Sequence, residues 1–260
     1  MRLKKKYGQH FLKDSQQALR IADAMQGWGT DYFHLLEVGP GGGAMTQHIA
    51  AASAANKTLS LVEIDEDLVP SLSERFVNDF VEVLNIDFLK VNLASMKKPF
   101  GVVGNFPYNI SSQILFKVLD HKEHVPELVG MFQKEVAQRV AAQHGNKTYG
   151  ILSVLIQAYY KVEEVFSLKP GAFQPPPKVD SMVIRMSRFR DEIPGVDSMD
   201  FHKMVKAAFG QRRKTLRNSM SNYLAQKKPF DDPHSILQRR AEQLSVDEFL
   251  ELNKQVNRVG

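Results

Sequence analysis

The sequence contains no cysteine among its 260 residues. Disulfide bonds, thiolate metal sites and a thiol nucleophile are therefore excluded. Apolar runs are also short, since none approaches the roughly 20 residues that a membrane-spanning helix needs. The amino terminus, MRLKKKYGQHFLKD, lacks the apolar middle of a signal peptide. We therefore expect a soluble, cytoplasmic protein with no membrane segment.

Repeats and low-complexity runs are absent as well. The eight histidines are scattered along the chain, and we expect them to lie at the surface rather than to bind a metal. The composition, with 43% hydrophobic and 24% charged residues, is typical of a globular protein. A chain of this length can bury a sizeable core, either as one large domain or as a main domain with a small appendage.

Positive charge is concentrated in two places. One cluster lies at the amino terminus, and the other, between residues 203 and 217, contains no acidic residue. Either cluster alone could be a solvated basic surface, but two in one chain favour binding to a polyanion such as nucleic acid. The residues predicted to contact RNA are Lys4, Lys5, Lys6, Arg212, Arg213, Lys214 and Arg217.

Short apolar runs alternate with segments of helical periodicity from residue 34 to about residue 190. This alternation is typical of βαβ units and of a parallel sheet covered on both faces. The stretch RDEIPGVDSMD then has the composition of a linker, and only helical patterns follow. We therefore predict an α/β domain over residues 1–190, with a basic arm at 1–14, and a small all-helical domain over 191–260. The strands are predicted at residues 34–38, 59–64, 81–84, 101–104 and 128–132, followed by two more in KVEEVFSL and SMVIRM.

A glycine-rich turn, GPGGG, follows the first predicted strand and precedes a helical segment. Glycine allows the backbone to turn tightly and to approach a ligand closely. Gly39, Gly41 and Ala44 also fit the dinucleotide fingerprint Gly-x-Gly-x-x-Ala. This match is weak alone, because a glycine-rich turn is often only a turn, and it leaves a dinucleotide such as NAD open as the ligand.

Three acidic residues discriminate between cofactors. Glu37 precedes the glycine turn, Glu63 ends the second strand and Asp87 follows the third, and such strand ends converge on one crevice of a parallel sheet. Glu63 would bind ribose hydroxyls, which NAD and S-adenosylmethionine share. Glu37 would repel a pyrophosphate but attract the ammonium and sulfonium of S-adenosylmethionine. Each acid alone could be a helix cap or a surface residue, but together they predict S-adenosylmethionine.

The stretch VGNFPYNISS ends the fourth strand and should overhang the same crevice. The amino group of a nucleobase is a poor nucleophile because its lone pair is delocalised into the ring. The Asn105 amide oxygen and a backbone carbonyl of Phe106 or Pro107 could accept its two N–H groups and make the nitrogen more tetrahedral. Tyr108 could stack on the base. The alternative is a structural Pro-aromatic turn, which the shared position with the three acids disfavours.

Nine motifs together resemble the small-subunit ribosomal RNA adenine N6,N6-dimethyltransferases of the KsgA/RsmA type. In order along the chain, and covering nearly all of it, they are GQHFLKD, EVGPGGG, EIDEDL, IDFL, GNFPYNISS, QKEVAQRV, YGILSVLIQAYY, FQPPPKVDSMVIR and FGQRRKTLRNSM. The resemblance implies a Rossmann-like, S-adenosylmethionine-dependent methyltransferase domain with a small C-terminal all-helical domain, in a monomer that binds RNA. It also implies dimethylation of two adjacent adenosines in a hairpin loop near the 3′ end of the small-subunit rRNA, during ribosome assembly.

The resemblance also assigns roles to individual residues. It implies a catalytic set of Asn105, Phe106, Pro107 and Tyr108, with Phe173 packing against the flipped target base. Many relatives carry asparagine at position 10, where this chain carries histidine. Both side chains can donate a hydrogen bond, so we expect the donor contact to survive. The full set of predicted donor-binding residues is His10, Leu12, Glu37, Gly39, Gly41, Glu63, Ile64, Asp87, Phe88 and Asn105.

Three other functions remain open from the sequence. A large-subunit rRNA adenine methylase of the antibiotic-resistance type shares the methyltransferase core, but the FGQRRKTLRNSM helix argues against it. A non-catalytic RNA-binding assembly factor would keep the fold, and the intact Asn-Phe-Pro-Tyr stretch disfavours that function. An NAD-dependent oxidoreductase would need a proton-relay residue near the nicotinamide, which the sequence does not identify.

Overall fold

The computed structural model describes residues 9–53, 56–229, 232 and 235–257, so Lys4, Lys5 and Lys6 lie outside the described residues. The chain divides into two compact units. The first runs up to Ala137 and includes Val162–Arg188, and the second contains Gln138–Lys161 and the chain from Phe189 onward. This division differs from the predicted one at residues 138–161, which the sequence analysis assigned to the α/β domain. The predicted boundary near residue 190 stays a prediction.

Strands within the described residues form two sheets. Their bounds are β1 Phe11–Leu12, β2 His34–Val38, β3 Thr58–Val62, β4 Val81–Leu84, β5 Phe100–Asn105, β6 Glu127–Gln133, β7 Tyr160–Leu168, β8 Phe173–Gln174 and β9 Ser181–Arg188. The seven predicted strands are all present, within two residues of their predicted ends. The pair β1 and β8 is antiparallel and forms a separate two-stranded sheet that the sequence analysis did not predict.

Helices alternate with these strands and then continue alone. Their bounds are α1 Ser15–Asp23, α2 Thr46–Ala51, α3 Val69–Phe76, α4 Ser111–Asp120, α5 Lys134–Ala141, α6 Ile151–Gln157, α7 Ser198–Phe209, α8 Leu216–Ser219, α9 Ser221–Leu224 and α10 Val246–Asn257. Short 3₁₀ turns include Phe88–Lys90, which follows β4. No described helix is long and apolar enough to cross a membrane.

The main sheet has the order β4-β3-β2-β5-β6-β9-β7. Strands β2 to β6 run parallel, whereas β9 lies antiparallel to β6. The chain starts in the middle at β2, adds β3 and β4 on one side, and then returns to add β5 and β6 on the other. The order therefore reverses between β2 and β5, and ligands of open α/β sheets bind in the crevice at that point, outside the carboxyl ends of the strands.

Strand β2 shows why the sheet is buried on both faces. All five of its residues are buried, as expected for a central parallel strand covered by helices.

His34, the first residue of β2, corrects the expectation that the histidines lie at the surface, because it is only 6% exposed. Its ring nitrogens lie 2.8 Å from the Thr58 hydroxyl and 3.2 Å from the Ser60 hydroxyl. Burial lowers the pKa of His34 to about 4, so this histidine is a neutral part of the core.

The helical unit is organised around one carboxylate. Asp200, in α7, accepts hydrogen bonds from the Tyr223 hydroxyl (2.6 Å), the Lys227 ammonium (2.7 Å) and the amides of Asn253 and Asn257 in α10 (3.0 and 2.7 Å). These bonds outweigh the opposing effect of burial and lower the pKa of Asp200 to about 2. A charge that is desolvated but fully hydrogen-bonded can hold α7, α9 and α10 in one arrangement.

Candidate active site

The carboxyl ends of the parallel strands surround a cavity in the first unit. It lies at the reversal of strand order, between the ends of β2 and β5, and the segment before β1 forms another wall. The predicted site residues that line this cavity are His10, Gly39, Gly41, Glu63, Ile64, Asp87, Phe88, Asn105, Phe106, Pro107 and Tyr108. Leu12 and Glu37 line a neighbouring cavity, which shares Gly39 and Asn105 with the first.

Glu37 is a buried carboxylate at the end of β2. It is 1% exposed, and its Oε2 has no hydrogen-bond partner among the described residues. Burial raises the pKa of Glu37 to about 8, and the nearby Glu63 carboxylate acts in the same direction, whereas the Thr46 hydroxyl opposes it. An unpaired carboxylate at this depth is costly unless it is neutral or faces a cation. The site is therefore suited to a positively charged ligand.

Glu63 ties the glycine turn to the end of β3. Its Oε2 accepts the Gly41 N–H at 3.0 Å, and its Oε1 accepts the Asp65 N–H at 2.8 Å. Burial raises the pKa of Glu63, and these backbone hydrogen bonds oppose that effect. Each carboxylate oxygen can accept a further hydrogen bond. Glu63 is therefore held in one orientation at the cavity wall, with capacity left for ligand hydroxyls.

The glycine turn needs glycine for two different reasons. Gly39 and Gly41 both have positive φ, +69° and +58°, a backbone conformation that other residues adopt only with strain. A Cβ atom at Gly41 would also lie 2.6 Å from the Phe11 ring, whereas one at Gly39 would meet no atom within 4 Å. Gly39 thus presents bare backbone to the cavity, and a ligand can approach it closely.

Asp87, Phe88 and the isoleucines Ile64 and Ile86 form another part of the cavity wall. The Asp87 carboxylate accepts the Leu89 N–H at 2.9 Å and so caps the 3₁₀ turn Phe88–Lys90. Asp87 is therefore a helix cap and also lines the cavity, and its contact with the methyl donor stays a prediction. Ile64 and Ile86 line it too and are 41% and 37% exposed, which suits the faces of a planar ring. Ile86 was missed, although it stands directly before Asp87.

Asn105, the last residue of β5, is oriented by the amino-terminal segment. Its Nδ2 donates to the backbone carbonyl of His10 at 2.7 Å. An amide that donates in one direction presents its oxygen in the other. This hydrogen bond therefore leaves the Asn105 Oδ1 as an acceptor at the cavity.

Phe106 is held by two glycines that the sequence analysis did not identify. Gly104 in β5 pairs with Gly130 in β6, and Cβ atoms at these positions would lie 2.7 and 2.0 Å from the Phe106 ring. The ring is 1% exposed and lies 5.0 Å from the Phe132 ring, and the Phe106 N–H donates to the Met131 carbonyl. The side chain is an anchor, so Phe106 can contribute to the cavity mainly through its backbone.

Tyr108 is fixed at both its ring and its hydroxyl. The ring stacks against His10, with centroids 5.4 Å apart and planes at 29°. The hydroxyl lies 2.5 Å from the Ser181 hydroxyl at the start of β9, and burial raises the pKa of Tyr108 while this bond opposes the rise. His10 in turn is hydrogen-bonded through Nδ1 to the Pro175 carbonyl at 2.9 Å. Ser181 and Pro175 were both missed, since their contacts depend on tertiary structure.

Phe173 requires a correction. We expected its ring to pack against the target base, but it is 0% exposed and belongs to the hydrophobic core. It is paired with Leu12 in the two-stranded sheet and is not among the residues that line the cavity. In this structure Phe173 anchors the amino-terminal strand, and His10 is the aromatic residue that faces Tyr108.

The second basic cluster lies in the helical unit. Arg212, Arg213, Lys214 and Arg217 are all exposed, which is compatible with RNA contact. The Arg212 guanidinium, however, donates to the carbonyls of Lys147 and Tyr149 at 2.9 and 2.8 Å, so part of it stabilises a loop. No group of three or more potential metal ligands occurs among the described residues.

Comparisons with known proteins agree with this geometry. The family model described as "Ribosomal RNA adenine dimethylase" matches residues 1–258. The "Ribosomal RNA small subunit methyltransferase A" of Cytophaga hutchinsonii is 47% identical over 99% of this chain and 98% of its own length. The protein of the same name from Phocaeicola vulgatus is 50% identical over 97% of this chain and 89% of its own.

Solved structures show the same fold. A dimethyladenosine transferase from Plasmodium falciparum has a TM-score of 0.78 at 24% identity, covering 94% of this chain and 96% of its own. The 23S rRNA methyltransferase ErmE has a TM-score of 0.68 at 25% identity, covering 95% of this chain and all of its own. These likenesses confirm the predicted methyltransferase fold, in which a mostly parallel sheet precedes a helical carboxyl-terminal region.

Proposed function

This chain belongs to the ribosomal RNA adenine dimethylase family, and from that premise we propose that its cavity binds S-adenosylmethionine and the target adenine side by side. The resemblance inferred from the sequence motifs is confirmed by the family match and by relatives that are 47% and 50% identical. The chain is accordingly an enzyme that dimethylates adenine in the RNA of the small ribosomal subunit. Specific roles in this reaction are proposed for the residues that line the cavity.

The proposal that the cavity binds S-adenosylmethionine rests on the unpaired Oε2 atom of Glu37. A buried carboxylate beside the glycine backbone, where a Cβ atom at Gly39 would meet no other atom, fits the cationic methionine end of S-adenosylmethionine. Glu63 would bind the ribose hydroxyls, and Asp87, Ile64 and Ile86 would enclose the adenine. When bound, the cofactor supplies a methyl group on a positively charged sulfur.

Asn105 and Phe106 would prepare the target amino group. The Asn105 Oδ1 is free of the His10 contact and can accept one N–H of the adenine amine. The Pro107 carbonyl already accepts the Ile110 N–H at 3.2 Å, which favours the Phe106 carbonyl as the second acceptor. Two acceptors aimed at both hydrogens make the nitrogen more tetrahedral and direct its lone pair towards the methyl carbon. The proton is lost after the transfer, so no strong base is needed.

Tyr108 would stack on the flipped base. Such a contact contributes roughly 1–3 kcal/mol per base, which offsets part of the few kcal/mol needed to unstack the nucleotide. The His10–Tyr108 ring separation of 5.4 Å is too small for a base between them, because a single stacked pair already has its ring centres about 4.5–7 Å apart. The base therefore uses the other face of Tyr108, or His10 moves.

The substrate is proposed to be two adjacent adenosines in a hairpin loop near the 3′ end of the small-subunit rRNA, modified during subunit assembly. The relatives named as small-subunit enzymes are 47% and 50% identical, whereas the named 23S enzyme is 25% identical. This difference disfavours the large-subunit alternative. The intact stretch from Asn105 to Tyr108 at the cavity disfavours a non-catalytic assembly factor.

The proposal is tested by incubating the protein and labelled S-adenosylmethionine with small subunits that lack the modification, and then mapping the label. We expect label on two adjacent adenosines of the small-subunit rRNA.

Asn105→Ala should lower the rate at least about 100-fold, the scale of losing one oriented acceptor in a transition state, while RNA binding is retained. The matched control is Asn109→Ala, because Asn109 is an exposed asparagine four residues after Asn105. This variant should methylate the rRNA at the wild-type rate. Label elsewhere, or near wild-type activity of Asn105→Ala, contradicts the proposal.

A further inference from the structure

Lys117 is a half-buried lysine in the middle of α4, outside the nine family motifs. Its ammonium donates to the backbone carbonyls of Leu89 at 2.8 Å and Val91 at 2.6 Å. It also lies 5.4 Å from the centre of the Phe88 ring. All of these partners belong to the segment that follows Asp87. One side chain from α4 therefore binds the part of the cavity wall that Asp87 and Phe88 form.

This placement costs the lysine part of its hydration. Burial lowers the pKa of Lys117, and the Asp87 carboxylate opposes that effect. A cation is retained in such a position only if hydrogen bonds and opposite charge replace the lost water. Two carbonyls, an aromatic face and a nearby carboxylate provide that replacement. The ammonium therefore stabilises the segment around it, rather than lying against it by chance.

The segment that Lys117 contacts contains little regular structure, although Phe88 and Val91 are buried. Its 3₁₀ turn is three residues long, Phe88–Lys90, and is closed by the Asp87 side chain and by the N–H groups of Lys90 and Val91. Asp87, Phe88 and Ile86 present the wall that would enclose the adenine of the methyl donor. The carbonyls of Leu89 and Val91 point back to α4, where Lys117 binds them.

Helix α4 also holds the catalytic stretch at its other end. The Ser111 hydroxyl donates to the Tyr108 carbonyl at 3.1 Å, and the Ile110 N–H donates to the Pro107 carbonyl. Six residues separate Ser111 from Lys117, about 9 Å along a rigid helix. One element therefore spans from the residues that receive the target base to the wall that receives the donor.

We propose that Lys117 is a positioning residue that fixes the adenine-side wall of the donor site relative to the catalytic stretch, and thereby sets the affinity for the methyl donor. The proposal rests on the proposed donor site and adds a residue to it. Because the wall faces the adenosine part, which S-adenosylmethionine and S-adenosylhomocysteine share, Lys117 acts equally on the binding of both. It does not touch the methyl group or the target amine, so the transfer step itself is unaffected.

The test measures dissociation constants of both ligands, and kcat at saturating donor, for Lys117→Met. This substitution keeps most of the apolar stem and removes the ammonium. We expect both dissociation constants to rise by the same factor, about 10-fold, the scale of removing hydrogen bonds from a charged donor. We expect kcat to remain within about 2-fold of wild type. Lys117→Arg, which can reach both carbonyls, should recover most of the affinity.

Lys90→Met is the matched control, since Lys90 belongs to the same 3₁₀ turn but is exposed, and we expect no change in affinity. Unchanged dissociation constants in Lys117→Met would overturn the inference, as would a fall in kcat at unchanged affinity. A change for one ligand only would also contradict it. If the wild-type protein itself binds neither ligand, the proposed donor site fails instead, so the two failures are distinguishable.

Discussion

Glu37 is the ionisable side chain on which the donor site depends most directly. Its carboxyl has a pKa raised by burial from 4.5 to about 8. Because the pKa of this carboxyl is higher in the folded protein than in the unfolded chain, its protonation stabilises the fold. This contribution to the free energy of unfolding is complete below the unfolded pKa near 4.5 and is lost as the pH rises through the folded pKa of about 8. At pH 7 Glu37 is therefore mostly neutral when no cation lies beside it, and a bound cation would convert it to the carboxylate.

We accordingly expect S-adenosylmethionine binding at pH 7 to release up to about one proton from Glu37, because the bound cation lowers the pKa of that carboxyl. Calorimetric titration in two buffers of different ionisation enthalpy measures the number of protons released. At pH 9.5, where Glu37 is already ionised, the release should vanish.

Glu37→Gln provides the reference for this measurement, since it keeps the shape of the side chain and also accounts for titration of the ligand's own amino group. The variant should release no proton from position 37 and should bind S-adenosylmethionine more weakly. It should discriminate less between that ligand and S-adenosylhomocysteine, which lacks the sulfonium charge. Equal proton release by the two proteins would show that Glu37 is not the titrating group.

Individual site residues were predictable from the sequence where they stand at the end of a predicted strand. Glu37, Glu63, Asp87 and Asn105 each stand at or just past an apolar run, and parallel strands bring such positions together. The expected contact of Phe173 with the target base disagrees with the structure, because a family motif gives a residue's identity but not its packing, and here the ring lies in the core. Ser181 and Lys117 were missed for a related reason. Their roles come from contacts with Tyr108 and Leu89, which no local spacing indicates.

The pair of strands β5 and β6 forms the support beneath the catalytic stretch. Gly104 and Gly130 lie side by side, and the Phe106 ring occupies the space that their missing side chains leave. This arrangement fixes the direction in which the chain leaves β5. The turn at Pro107 is therefore positioned by packing as well as by its own restricted dihedral angle.

Gly130→Ala should displace the Phe106 ring, because the new Cβ would lie 2.0 Å from it. We expect a stability loss of about 1–3 kcal/mol from overpacking and a larger fall in kcat than in donor affinity, since the displaced backbone is that of the target-base acceptor. Thermal unfolding and steady-state kinetics measure the two effects.

Gly171→Ala is the matched control, since its Cβ would meet no atom within 4 Å, and it should change neither quantity. Phe106→Leu combined with Gly130→Ala should recover part of the lost stability, because the smaller side chain leaves room for the methyl group. Independent, additive effects of the two substitutions would mean that the glycine does not act through Phe106.

Secondary structure was largely predictable where the apolar pattern was strong. Strands β2, β4 and β9 begin where the sequence indicated, because each contains apolar residues that the sheet buries, whether throughout the strand, as in β2, or at part of it, as in β4. The short pair β1 and β8 was not predictable, since two residues carry no periodicity. The assignment of residues 138–161 to the helical unit also depends on tertiary contacts alone.

The distribution of charge over the molecule bears on how it binds RNA. The net charge is +5, and Arg213, Lys214 and Arg217 are exposed in a segment without acids. Replacing all three with glutamine should weaken RNA binding and reduce the slope of log K against log salt, by up to about 0.7–0.9 for each phosphate that is no longer neutralised. Arg212 is left intact because it also stabilises the 147–149 loop. Binding at several salt concentrations measures the slope.

A second triple variant with the same change of charge controls for net charge alone. Lys90, Lys97 and Lys98 are exposed in the first unit, and replacing them with glutamine should leave most of the slope in place. Equal reductions of slope in the two triple variants would indicate a general electrostatic attraction rather than contacts made by the second cluster.

The hydrogen bond between Asn105 and position 10 uses the backbone carbonyl of His10, not its ring. Evolution can therefore exchange the side chain at position 10 without disturbing the orientation of the catalytic amide, since every amino acid supplies the same carbonyl. An insertion between position 10 and β1 is different, because it would move that carbonyl away from the Asn105 amide. Exchanges at position 10 are thus expected among descendants of this protein to change the contact with the Tyr108 ring but not the direction of the Asn105 amide, as long as that position directly precedes β1.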